Sequence, residues 1–134
     1  MRRLVTWGMP AVLLVALAGP AVAAHGSPTG PMPVISVPDL KAYLDRGGRP
    51  MIIDLRPADD FHQGHLPGAR SIPIRELRRR GGLLPRGRVI LYCACPKEEL
   101  EAAYRFLTDL GLEQVEGLAE GFPGWVSRGY PLER

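Results

Sequence analysis

The chain has 134 residues, with 17 Lys and Arg against 14 Asp and Glu and a formal charge of +3. Its length suits one domain with a single core. The near balance of charge excludes the electrostatic footprint of a nucleic-acid binder, which rests on many phosphate contacts. Two cysteines in a small domain ordinarily suggest a stabilising disulfide, but Cys93 and Cys95 are separated by one residue and could staple little chain.

Met1-Arg2-Arg3 is a short basic start, and residues 10–18 form an apolar run of signal-peptide length. Ala21-Val22-Ala23 then supplies the small residues a signal peptidase reads, with cleavage expected before Ala24 or His25. An uncleaved anchor is the alternative, but Gly8, Pro10, Gly19 and Pro20 cut the run below the roughly 20 residues of a spanning helix. Residues 1–24 are therefore read as a cleaved export signal. The mature chain is expected in the periplasm or outside the cell, with no stable membrane insertion. Residues 25–33, rich in Gly, Pro and Ser, read as a flexible leader, and residues 34–134 as the domain.

Within the domain no internal repeat is found, and helix-like and strand-like patches alternate. Residues 38–46 carry Leu40, Tyr43 and Leu44 at helical spacing, with Ser36 as a cap and Gly47-Gly48 as the stop. Residues 51–55 are a short apolar run suited to a strand buried on both faces. One or two helical turns are predicted over 57–61, a turn over 64–69, an extended piece over 71–73, and a weak helix over 74–80 broken by Gly81-Gly82. A central strand at 88–92 leads to a helix at 99–110 closed by Gly111. A strand at 114–118 and a helix at 122–127 complete the pattern. Such alternation argues for an α/β domain with a mostly parallel sheet.

In parallel sheets ligands sit beyond the carboxyl ends of the strands, where this sequence puts Cys93 and Arg56. A buried strand that stops on a thiol facing a helix start sets the sulfur near the positive end of the helix dipole. That setting favours the thiolate, the reactive form. A bridge between Cys93 and Cys95 would close a loop too small to constrain much chain entropy, so it is poor structural glue and belongs to the labile kind. Whether it forms stays open from sequence alone.

Four pieces match a known family in order. These are Ile53-Asp54-Leu55-Arg56, the run Asp60-Phe61-His62-Gln63-Gly64-His65-Leu66-Pro67-Gly68-Ala69, Leu91-Tyr92-Cys93, and Glu120-Gly121-Phe122-Pro123-Gly124-Trp125. On these the chain resembles a single-domain rhodanese, a sulfurtransferase-type module, across essentially the whole domain. The resemblance implies a central, mostly parallel five-stranded sheet with helices on both faces. It also implies that Cys93 carries sulfur as a persulfide between donor and acceptor, with no cofactor. The loop Ala94, Cys95, Pro96, Lys97 and Glu98, together with Arg56, would bind the substrate. Asp54 and His65 would be structural supports. The partners implied are a small sulfur-containing donor or a persulfidated protein, and a thiol or protein acceptor.

The loop departs from the family's pattern, in which the cysteine is followed by a cation, a glycine and a small hydroxyl residue. Pro96 removes an amide donor, and Glu98 and Glu99 place carboxylates where an anionic donor would bind. Thiosulfate is accordingly expected to be a poor donor and a persulfide a better one. A redox module that uses Cys93 and Cys95 as a thiol–disulfide pair is an alternative, with Cys95 as a possible resolving thiol. A non-catalytic binding domain is another. Cys93 and Cys95 with His62 and His65 could form a mixed site, but His65 fits the family's structural turn, so a ligand quartet is wanting and no metal is assigned. The cluster Arg75, Arg78, Arg79, Arg80, Arg86 and Arg88 is read as a solvated face.

Overall fold

The structure is a computed structural model that describes residues 30–134. The expected export signal at 1–24, and residues 25–29 of the leader, lie outside the described residues.

A two-residue strand β1 (Val34–Ile35) opens the domain, followed by helix α1 (Val37–Asp45). The Ser36 side chain accepts from the Asp39 amide at 3.2 Å and Pro38 sits in the first turn, the two sequence features that start a helix. Then come β2 (Met51–Asp54), α2 (Ala58–Gln63), β3 (Arg70–Ser71) and α3 (Leu77–Arg80). A central strand β4 (Arg88–Tyr92) leads to α4 (Lys97–Asp109), β5 (Gln114–Leu118) and α5 (Gly121–Ser127). The five strands form one sheet in the order β1-β5-β4-β2-β3, and every pair is parallel. The α/β arrangement expected from the alternating pattern is the one observed.

Along β4 the side chains divide between two cores, as the two-residue period of a strand requires. Val89, Leu91 and Cys93 join Leu100, Ala103, Tyr104 and Leu107 of α4, with Leu77 of α3. Ile90 and Tyr92 join Val37 and Leu40 of α1 and Trp125 of α5 on the other face. Cys93 thus continues the alternation of β4 one step beyond its end, on the face covered by α4.

Several elements depart from expectation, three of them for a clear physical reason. Strand β1 is too short for periodicity to reveal; its pairing with Gly117 and Leu118 makes it a strand. Helix α4 begins at Lys97 rather than residue 99, because the Pro96 carbonyl already accepts from the amides of Glu99 and Leu100 at 3.1 and 3.4 Å. The helix before Gly81-Gly82 ends at Arg80 as expected but starts only at Leu77 rather than residue 74, and a 3-10 turn over Gly81–Leu83 follows it. Gly81 is buried there, and a Cβ would lie 3.0 Å from the Phe106 ring and 3.1 Å from Leu107.

Candidate active site

The adjacent ends of β2 and β4 build the site. Asp54 and Tyr92 face each other across that ladder, and both are fully buried. A carboxylate without exposure needs partners, and Asp54 has several. Oδ1 accepts from the Arg56 amide at 2.9 Å and from its Nε at 3.0 Å. Oδ2 accepts from Arg56 Nη2 at 2.7 Å and from the Tyr92 hydroxyl at 2.5 Å. The same hydroxyl accepts from the Leu66 amide at 3.2 Å, and Arg56 Nη2 also donates to the Gly64 carbonyl at 2.7 Å. Two strand ends and the turn after α2 are thereby fastened at one point.

The Arg56 guanidinium lies 3.6 Å from the Phe122 ring centroid, a cation–π contact strengthened by burial. Burial alone would lower its pKa, but the hydrogen bond and charge of Asp54, helped by Tyr92, outweigh that and raise it. Tyr92 is held well above the ordinary phenol range, chiefly by burial and then by the hydrogen bond to Asp54 and that carboxylate's charge. His65 stacks on Phe61 at 3.7 Å between ring centroids, with Nδ1 3.0 Å from the Phe61 carbonyl. Its backbone pairs in both directions with Glu133.

Cys93 emerges from β4 directly after this network. Its carbonyl accepts from the Phe122 amide at 3.2 Å, so α5 grips the backbone at the cysteine. Gly121, at φ +57°, makes that approach possible: a Cβ would stand 2.7 Å from the Cys93 carbonyl oxygen. Cys93 is 6% exposed and is joined to Cys95 in a disulfide, with 5.4 Å between Cα atoms. Cys95 is only partly buried, so it is the more accessible sulfur of the pair.

Cys93, Ala94 and Cys95 separate two cavities. The larger, of about 610 Å³, is lined by Arg56, Pro57, Ile74, Arg75, Arg79 and Glu99 besides the cysteine loop. The smaller, of about 360 Å³, is lined by Met32, Lys97, Leu100, Leu118 and Gly121 among others. Of the residues expected to bind substrate, Ala94, Cys95 and Arg56 border the larger cavity and Lys97 the smaller. Glu98 instead lines a surface depression with Arg78 and Glu101. Pro96 holds the N-cap position of α4. The Arg56 guanidinium is committed to Asp54 and Gly64.

The arginines read as one solvated face separate. Arg88 pairs with Glu116 at 2.6 Å, and that hydrogen bond raises its pKa. Arg80 pairs with Glu76, and Arg86 donates to the Gly111 carbonyl at 3.0 Å. Arg75 and Arg79 have no ion-pair partner among the described residues, and both border the larger cavity. Both remain exposed, as the solvated-face reading expects, and nothing in their spacing marks them as bordering a cavity. Among the described residues no group of three or more His, Cys, Asp and Glu is placed to hold a metal ion, and no helix is long and apolar enough to cross a membrane.

A family model described as Rhodanese-like domain matches residues 36–128. The HTH-type transcriptional regulator Rv0324 of Mycobacterium tuberculosis is 34% identical over 92 residues, covering 64% of this chain and 38% of that protein. A protein named sulfurtransferase from Allochromatium vinosum is 26% identical over 83 residues, covering 61% of this chain and 77% of that one. The crystal structure of a rhodanese-related protein from Thermoplasma volcanium matches with a TM-score of 0.66 at 27% identity, covering 75% of this chain and 97% of the other. Against several curated relatives the chain spans only 38% to 61% of the relative's length.

Proposed function

Because the chain belongs to the rhodanese-like domain family, we propose that it is an exported sulfurtransferase that carries sulfane sulfur as a persulfide on Cys93. The observation that carries this reading is the position of Cys93: at the carboxyl end of the central strand, before the 13-residue helix α4, bordering a cavity of about 610 Å³. In its reduced form the thiolate attacks the outer sulfur of a donor R–S–SH. The S–S bond of the donor breaks, R–S⁻ leaves, and Cys93 keeps the sulfur as Cys93–S–SH. An acceptor thiolate or protein then takes it. The dipole of α4 favours the anionic forms of both sulfur species.

The cavity lining bears on the donor. Asp60, Glu76 and Glu99 border it, Pro96 supplies no amide, and the Arg56 guanidinium is already neutralised by Asp54. Arg75 and Arg79 offer unpaired positive charge from a separate part of the chain. Thiosulfate carries its charge beside the reacting sulfur and suits this lining poorly. A low-molecular-weight persulfide with carboxylates remote from its sulfane sulfur, or a persulfidated protein with an acidic surface, suits it better. Export rests on the basic start, apolar run and small-residue box of residues 1–24.

The test uses the full mature chain as its Cys95→Ser variant, reduced and incubated with glutathione persulfide before peptide mapping. One additional sulfur on the peptide containing Cys93, absent from the Cys93→Ser chain, is the expected result. A Cys93 peptide that never gains sulfur overturns the proposal.

The disulfide itself favours a second reading, a thiol–disulfide redox module in which Cys93 and Cys95 exchange with a protein disulfide. That reading requires either single serine variant to abolish reduction of a test disulfide such as insulin, with no sulfur gained at any stage.

A further inference from the structure

The bond between Cys93 and Cys95 joins the very atom that would carry the persulfide to a second thiol of the same loop. From this we infer that Cys95 is a catalytic resolving thiol and that the chain reduces sulfane sulfur to hydrogen sulfide. The inference rests on the persulfide reading for Cys93 and puts Cys95 in the place of the external acceptor.

The chemistry balances as follows. After Cys93–S–SH has formed, the Cys95 thiolate attacks the Cys93 sulfur. The Cys93–S–SH bond breaks, HS⁻ leaves with the bonding pair, and the Cys93–Cys95 disulfide is the other product. The two thiols lose two electrons, and the transferred sulfur gains them. An external dithiol then reopens the bond, yielding two protein thiols and its own cyclic disulfide. The observed disulfide is thus the product state of one turnover.

Three features of the site support this route. The Cα atoms of Cys93 and Cys95 are 5.4 Å apart, inside the roughly 4.4–6.8 Å usual for bonded pairs, so no rearrangement of the backbone has to precede attack. A group held at bonding reach acts at an effective concentration of molar or far above. Cys95 therefore takes the persulfide before an external thiol at ordinary solution concentrations. The accessibilities also differ in the useful direction. Cys93 is 6% exposed while Cys95 is only partly buried, so the reductant meets Cys95 first and expels Cys93 as the leaving thiolate. That regenerates the nucleophile beside the N-terminus of α4, where the dipole stabilises it. Because the bridge spans a sequence separation of 2, it holds little loop entropy and gives the reductant little to overcome.

Sulfide release and intact mass, measured together, test the inference. Pre-reduced wild-type chain and its Cys95→Ser variant are each mixed with glutathione persulfide, first without and then with dithiothreitol. Wild type is expected to release sulfide stoichiometrically with protein, to end two hydrogens lighter than the reduced chain, and to turn over repeatedly once dithiothreitol is present. Cys95→Ser is expected to stop as the persulfide, one sulfur heavier, with at least a tenfold slower release of sulfide. A wild-type chain that accumulates the same stable persulfide as Cys95→Ser overturns the resolving role and leaves the carrier role of Cys93 standing. A Cys95→Ser chain that gains no sulfur overturns the carrier reading itself, and this inference with it.

Discussion

The hydroxyl of Tyr92 donates to Oδ2 of Asp54 at 2.5 Å, between two fully buried residues that face each other across the β2–β4 ladder. Because Cys93 is the next residue, this bond sets the strand end from which the sulfur projects. Tyr92→Phe keeps the ring but removes the donor to Asp54 and the acceptor for the Leu66 amide. Leaving those groups short of a partner should cost about 1–3 kcal/mol, read as a lower urea midpoint with unchanged slope. The same variant should take up sulfur on Cys93 more slowly than wild type.

The same tyrosine gives a signature at alkaline pH. Its folded pKa is raised from the 10.0 of a free phenol by burial and by Asp54. The unfolded chain can ionise Tyr92 near pH 10 while the folded chain keeps it neutral. The stability contributed by that difference is complete below about pH 10 and is lost as pH rises beyond it, by up to ~1.4 kcal/mol per pH unit. Urea melts from pH 8 to 11 should show a steeper alkaline loss in wild type than in Tyr92→Phe. Parallel curves would refute the assignment.

Asp54 holds more than the tyrosine. Removing its carboxylate in Asp54→Ala strands the Arg56 guanidinium, 7% exposed, against the Phe122 ring. Breaking one side of a buried pair costs about 3–5 kcal/mol, a large fraction of the stability of a domain this size. Thermal unfolding should therefore shift far more for Asp54→Ala than for Asp45→Ala, whose ion pair with Lys41 is largely solvated.

How much of this was legible beforehand follows from the range of each interaction. The α/β pattern could be read because Val89 to Tyr92 and Leu100 to Leu107 repeat at strand and helix periods within a few residues of one another. Strand β1 could not, since two residues carry no period and its partner lies some eighty positions along the chain. Cys93 was legible as a strand end before a helix. The commitment of Arg56 to Asp54 and Gly64 was not, because the sequence gives a side chain's charge and not the direction in which it folds back. The same holds for Arg75 and Arg79, whose helical spacing is shared by arginines that face solvent.

Those two arginines give a prediction about the donor. Glu in place of Arg75 and Arg79 should slow sulfur uptake from a carboxylate-bearing persulfide by roughly tenfold, the scale of about 1.4 kcal/mol in a near-surface Coulomb interaction. The effect should shrink as salt is raised past the Debye regime and should be absent with an uncharged alkyl persulfide. Arg78→Glu is the matched control, since Arg78 borders the separate depression near Glu98. Equal slowing by all three variants would point to a general field rather than a site.

Gly121 makes the last test, because its backbone and its contact can be separated. At φ +57° any side chain is strained, and a Cβ there would also stand 2.7 Å from the Cys93 carbonyl oxygen. Gly129 has a similar φ of +66°, with nothing within 4 Å of the added carbon. Gly129→Ala should therefore cost only the conformational term, about 1–2 kcal/mol, and leave sulfur uptake unchanged. Gly121→Ala carries that cost and must also push against a backbone atom that already accepts from Phe122 at 3.2 Å. The cysteine has to move with its carbonyl, so uptake of sulfur at Cys93 should fall at least tenfold in the alanine variant that still folds. If both variants lose the same stability and neither changes the uptake rate, the grip of α5 on Cys93 does not position the sulfur.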